Sequence, residues 1–95
     1  MSVRYSRTAA KELREHLDYL AERSPQAARD LAAGVKALLA DLDTGAFEGP
    51  EVQLRSGRPA RTWPLPPLRI YYRRRGDELF VVRIYHQARR PITKP

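Results

Sequence analysis

Imidazole and guanidinium are the side chains in this sequence best suited to act on a phosphate. The imidazoles are His16 and His86, and all of the 18 basic residues except Lys11, Lys36 and Lys94 are arginine. His86 follows an apolar stretch, and an ordinary histidine pKa near 6.5 suits proton transfer at neutral pH, although the same position suits a histidine that caps the core. Arg69 stands directly before Ile70 in a run that reads as a central strand. An arginine placed there either holds a phosphate or pairs with a carboxylate, from Glu51 or from a partner. Glu51 itself lies in a loop and is solvated unless paired. Arg73, Arg83, Arg89 and Arg90 supply a basic surface, and Tyr71 and Tyr85 share the arginine-bearing parity, placed either to stack or to pack a partner's segment. Arginine abundance alone does not choose between a polyanionic ligand and the codon usage of a GC-rich genome.

The net charge of +7 lies in one half of the chain. Residues 1–47 carry seven basic and seven acidic residues, whereas residues 48–95 carry eleven basic residues against Glu48, Glu51, Asp77 and Glu78. A polyanionic partner follows from that asymmetry. Other chemistries lack their parts. There is no cysteine, the two histidines make no zinc spacing, and no glycine-rich phosphate loop is present, so neither a metal nor a cofactor is expected. No apolar run approaches the roughly 18 residues of a membrane span, and the first residues lack the apolar core of a secretion signal, so a cytoplasmic protein without a membrane partner is expected. The 95 residues read as a single domain, 1–95.

The elements that must position these groups follow from periodicity. Leu68, Ile70 and Tyr72, then Phe80, Val82 and Ile84, alternate with polar residues on either side of Gly76-Asp77, the pattern of a hairpin with one buried face. A two-residue loop would mix the faces, so the spacing predicts a three-residue, bulge-type connection that keeps these six residues together. Ser6 or Thr8 caps a first helix over about residues 8–23. Its stripe is Leu13, Leu17 and Leu20, with Lys11, Glu12, Arg14, Glu15, Asp18 and Glu22 facing water and pairing at i,i+4. Ser24-Pro25 ends it and starts a second helix, whose stripe of Ala28, Leu31, Val35, Leu38, Leu39 and Leu42 runs to a left-handed Gly45. Between Thr44 and Pro67, glycines and prolines break any long element, with Val52 and Leu54 alternating and Arg61–Leu65 forming a short strand whose Pro64 points to an edge or a bulge. Trp63 in that strand is either a nucleobase platform or, as is commoner for an aromatic in a small core, a plug. Two amphipathic helices must cover the apolar face of the sheet, which leaves the other face open. The expected fold is α+β, a helical hairpin on a small, mainly antiparallel sheet.

This order of elements, with the segments SRTAAKELREHLDYLAERSP and PLRIYYRRRGDELFVVRIYHQARRP, resembles the RelE/ParE toxin superfamily over nearly the whole chain. The resemblance implies a type II toxin–antitoxin toxin, involved in plasmid stabilization and growth inhibition, and neutralised by a cognate antitoxin in a hetero-oligomer. Two mechanisms come with it. RelE-like members are mRNA interferases that cleave ribosome-bound mRNA, and in the YoeB-like branch a loop glutamate, a strand arginine and a late histidine do so. Those roles match Glu51, Arg69 and His86 here. ParE-like members poison DNA gyrase by binding it, for which Arg73, Arg83, Tyr85, Arg89 and Arg90 would suffice. A third reading stands outside the superfamily: a small basic module that binds RNA or DNA on its sheet face without toxin activity.

Overall fold

A computed structural model describes residues 2–93 of the chain. Seven elements follow in the order β1 (Ser2–Tyr5), α1 (Arg7–Arg23), α2 (Pro25–Thr44), β2 (Glu51–Gln53), β3 (Pro59–Leu65), β4 (Leu68–Arg75) and β5 (Glu78–His86). The strands form one sheet in the order β1-β5-β4-β3-β2, antiparallel throughout except that β1 runs parallel to β5. This is the expected α+β arrangement, with the helical hairpin on one face of a mainly antiparallel sheet.

The helix boundaries lie where the capping residues put them. The Ser6 hydroxyl accepts from the Ala9 amide at 2.9 Å, and the Ser24 hydroxyl from the Ala27 amide at 3.2 Å, satisfying donors that a helix start leaves free. Pro25 occupies the first turn of α2, and Gly45 closes that helix at φ 75°, a left-handed conformation that glycine adopts without steric cost. Val35, Leu39 and Leu42 of α2 and Ala9 of α1 meet Leu68, Ile70, Tyr72, Leu79, Val81 and Ile84 of the sheet in the main core. The expected i,i+4 ion pairs of α1 do not form among the described residues, where the paired cations are Arg4, Arg61, Arg74 and Arg83.

The β4–β5 hairpin corrects the predicted register. Its loop is the two-residue Gly76-Asp77, with Gly76 at φ 60° and Asp77 outside the positive-φ region, as in the type II′ turn that suits a twisted hairpin. Arg75 pairs with Glu78 and Tyr72 with Val81, whereas Tyr71 pairs with Arg83, so Val82 is an extra residue on β5. That bulge changes the parity along β5. Leu79 and Val81 before it and Ile84 after it face the helices, while Phe80 and Val82 are only half-buried and lie towards the opposite face. The bulge sits where β1 gives way to α1, and Ser6 secures it. Its amide donates to the Val81 carbonyl at 2.8 Å and its hydroxyl to the Val82 carbonyl at 2.6 Å.

Nor is the second face of the sheet open. After β5 the chain turns back across it, Leu54 bridges to Thr93, and the Arg55 amide donates to the Ile92 carbonyl at 2.6 Å. Leu54, Ala60 and Tyr71 form a small second cluster there, with Val52, Val82, Tyr85 and Ile92 packed around it. Trp63 faces the helix side and is half-buried, its ring 4.5 Å from that of Phe47, which packs against the main core. Among the described residues no helix is long and apolar enough to cross a membrane.

Candidate functional site

The three residues matched to an RNA-cleaving role stand on different parts of the sheet. Glu51 pairs across β3 and β4 with Arg61 and Tyr72, and His86 pairs with Leu68, so both belong to the helix-side parity. They are four residues apart along the strands and three strands apart across them, roughly 13 Å in one direction and 14 Å in the other. Arg69 has the opposite parity, opposite Tyr85 and Pro64, and donates to the Thr62 hydroxyl at 3.2 Å. The Glu51 side chain is 69% exposed and reaches Arg61 at 3.9 Å. With Glu51 and His86 separated in this way, one substrate atom cannot touch all three groups in this arrangement.

The arginines divide into those held by the protein and those left over. Arg83 is held: its guanidinium makes two bonds to Glu12 in α1, at 3.0 and 2.7 Å, and the carboxylate raises the Arg83 pKa further. The same carboxylate accepts from the Ile84 amide at 3.1 Å, on the stretch of β5 that β1 no longer covers. Glu12 thus stands in for a strand neighbour. Its side chain is 16% exposed, which corrects its assignment to the water-facing side of the helix and removes Arg83 from the free basic surface. Tyr85 is likewise engaged, its hydroxyl donating to the Arg90 carbonyl, and Tyr71 is 6% exposed. Tyr71 and Tyr85 therefore do not present a pair of free ring faces for base stacking.

A further anchor holds the loop before β2. Glu48 accepts from Arg74 at 2.8 and 3.0 Å and from the Tyr72 hydroxyl at 3.1 Å, and it pairs with Arg61 at 3.4 Å. The Arg74 hydrogen bonds are the main cause that holds the Glu48 carboxyl below the usual range, with the Tyr72 bond and the charges of Arg74 and Arg61 adding to it against burial. Arg74 also donates to the Leu42 carbonyl at the end of α2. The Tyr72 hydroxyl accepts from the Gly49 amide at 2.7 Å. Gly49 packs so closely on β3 that a Cβ would meet the Thr62 carbonyl oxygen at 2.0 Å, which leaves no room for any other residue.

What remains is a basic groove on the second face. Leu54, Phe80, Val82 and Ile92 line its floor and Arg55, Arg58 and Arg73 its rim, in a volume of about 450 Å³. Arg75 lies over the Phe80 ring at 5.2 Å. Among the described residues none of these four arginines has a carboxylate within ion-pair distance. Partial burial and the like charges of Arg58 and Arg75 pull the Arg73 pKa down, and its Nε donates to the Pro59 carbonyl at 2.7 Å. Repulsion of this kind in the free protein is relieved when an anion binds. Arg90, whose carbonyl accepts from Tyr85, is exposed on the tail that crosses this side, whereas Arg89 is exposed beside a cleft on the helix side. Arg55, Arg58 and Arg75 were not singled out by sequence reasoning, although the concentration of arginine in residues 48–95 carried the signal. Among the described residues no His, Cys, Asp and Glu are grouped to hold a metal.

Comparison with known proteins agrees with this architecture. The family described as "ParE toxin of type II toxin-antitoxin system, parDE" matches residues 3–91. A solved structure titled "Chromosomal ParDE TA system from P. aeruginosa" contains a chain 26% identical to this one, superposing with a TM-score of 0.61 over 90% of this chain and 95% of that one. No curated protein sequence matches.

Proposed function

Because the chain belongs to the ParE toxin family of type II toxin–antitoxin systems, we propose that it arrests growth by binding DNA gyrase and not by cutting RNA, and that a cognate antitoxin relieves the arrest. The observation that carries this reading is the contrast between the two sets of candidate residues. Glu51, Arg69 and His86, which an endoribonuclease would need within reach of one phosphate, are divided between two parities of the sheet. Arg55, Arg58, Arg73 and Arg75 are instead gathered in one place without counter-charges among the described residues. A binding poison needs a surface of this kind and no acid–base pair. The antitoxin, whose task is to mask the toxin, would cover the same face with carboxylates.

Expression of the chain alone in bacteria tests the first half of the proposal, since growth should stop and resume when the product of an adjacent gene is supplied. The mechanism is read by comparing variants. Arg58→Glu combined with Arg75→Glu should abolish arrest and inhibition of purified gyrase in a supercoiling assay, while Arg69→Ala and His86→Ala should leave gyrase inhibition in place. If ribosome-bound mRNA is cut by the wild type and spared by Arg69→Ala and His86→Ala, the chain is an mRNA interferase and the binding reading is wrong.

A further inference from the structure

On the helix side, at the far end of β5, a cleft of about 390 Å³ is lined by Glu12, Glu15, His16, Tyr19, His86 and Arg89 over a floor of Leu68 and Ile84. The two imidazole rings, 5.5 Å apart between centroids, come from α1 and from the last residue of β5, and Arg89 comes from the tail. The His86 Nδ1 accepts from the Ala88 amide at 3.1 Å, so in the neutral ring the proton sits on Nε2, which is left to donate. His16 Nε2 is buried and has no hydrogen-bond partner. A buried polar atom without a partner is unfavourable, so an orphan next to a second imidazole and a guanidinium points to a missing occupant.

We propose that this cleft binds a phosphate group, held between the imidazoles of His16 and His86 and the guanidinium of Arg89. Three donors from three chain segments suit a tetrahedral oxyanion better than a planar carboxylate, which offers two oxygens in one plane. The acidic lining does not cancel them. Both Glu12 oxygens are taken by Arg83 and the Ile84 amide, which leaves Glu15, exposed on the rim, as the single free carboxylate of the lining. A divalent cation fits less well, since Arg89 borders the cleft and His86 Nδ1 is already engaged. In the free protein, burial first and then the charges of His86 and Arg89 lower the His16 pKa. A phosphate placed among the three reverses the charge term and favours the protonated His16.

The site is independent of the gyrase reading, and its test uses the purified chain alone. Inorganic phosphate is titrated at constant ionic strength against chloride while the imidazole C2–H resonances are followed by NMR. Both histidines should shift together and saturate, and the His16 pKa should rise. Arg89→Ala, a change at an exposed residue that leaves the core intact, should weaken binding about tenfold, as should His16→Gln, while Glu15→Gln strengthens it. A short single-stranded oligonucleotide that displaces inorganic phosphate identifies a nucleic-acid backbone as the source, and failure to displace it identifies a small phosphorylated molecule. The proposal is overturned if the shifts fail to saturate, if chloride reproduces them, if Arg89→Ala binds as well as the wild type, or if zinc and not phosphate saturates the site.

Discussion

On the helix side of β4, Leu68, Ile70 and Tyr72 are each at most 1% exposed, whereas on the other side Arg69 and Arg73 are half-buried and Tyr71 alone approaches the core. The same strand thus serves two surfaces of opposite character. Ten buried residues from both helices and two strands, β4 and β5, meet in the first cluster, against Leu54, Ala60 and Tyr71 in the second. Apolar burial, the largest favourable contribution to folding, is concentrated on the helix side. The tail side carries arginines that repel one another. A surface that contributes little to folding is free to hold a charge pattern suited to a partner, and this division leaves the tail side of the 95-residue chain available for the recognition proposed above.

The comparison breaks most visibly in the core. Leu42 is fully buried, and Leu42→Ala should destabilise the fold by about 2–5 kcal/mol, read by urea denaturation, through lost transfer energy and an unfilled cavity. Ile92→Ala, at a half-buried position in the second cluster, should cost no more than about 1 kcal/mol. Equal losses for the two would mean that the tail side is a second core. Next in size is Tyr72→Phe, which keeps the ring but leaves the Gly49 amide without its acceptor, at a cost of about 1–3 kcal/mol.

A smaller effect belongs to Glu48, whose side chain is 40% exposed and therefore partly screened. Its pKa is depressed in the folded state, so its contribution is present above the unfolded carboxylate pKa of about 4.3 and is lost as pH falls through the lower folded value. The stability of Glu48→Gln should accordingly fall less than that of the wild type as pH is lowered below the unfolded carboxylate pKa of about 4.3. A parallel decline in both proteins would remove Glu48 as the group that ties the loop to the sheet.

Both helices, their caps and the left-handed Gly45 were legible because capping and 3.6-residue periodicity are local. The hairpin register was not. Leu79, Phe80, Val81 and Val82 are four apolar residues in a row, so alternation gives no parity there, and the face of each depended on a turn length and on a bulge fixed by Ser6, 76 residues away. Glu12 was misplaced for the same reason: its spacing is that of a water-facing residue, and only the missing strand beside Ile84 draws its carboxylate inward. The return of the tail over the second face depends on a single bridge and on Ile92, too short a signal for periodicity. The arginine-rich half was plain from composition, but which arginines are free depended on where Glu12 and Glu48 lie in space.

The smallest expected change in stability is the most informative about the second face. Arg58 is exposed, has no carboxylate partner among the described residues, and stands close enough to Arg73 to lower its pKa. Arg58→Gln should therefore leave stability within about 0.5 kcal/mol of the wild type, with the difference at or above zero because one like charge is removed. Added salt should raise the stability of the wild type more than that of the variant, since screening has more repulsion to relieve in the former. If the face is built for binding, the same substitution weakens growth arrest while the fold gains or holds. A loss of stability on removing Arg58 would instead mean that the arginine supports the fold, and the division between a stabilising face and a recognising one would not hold at that residue.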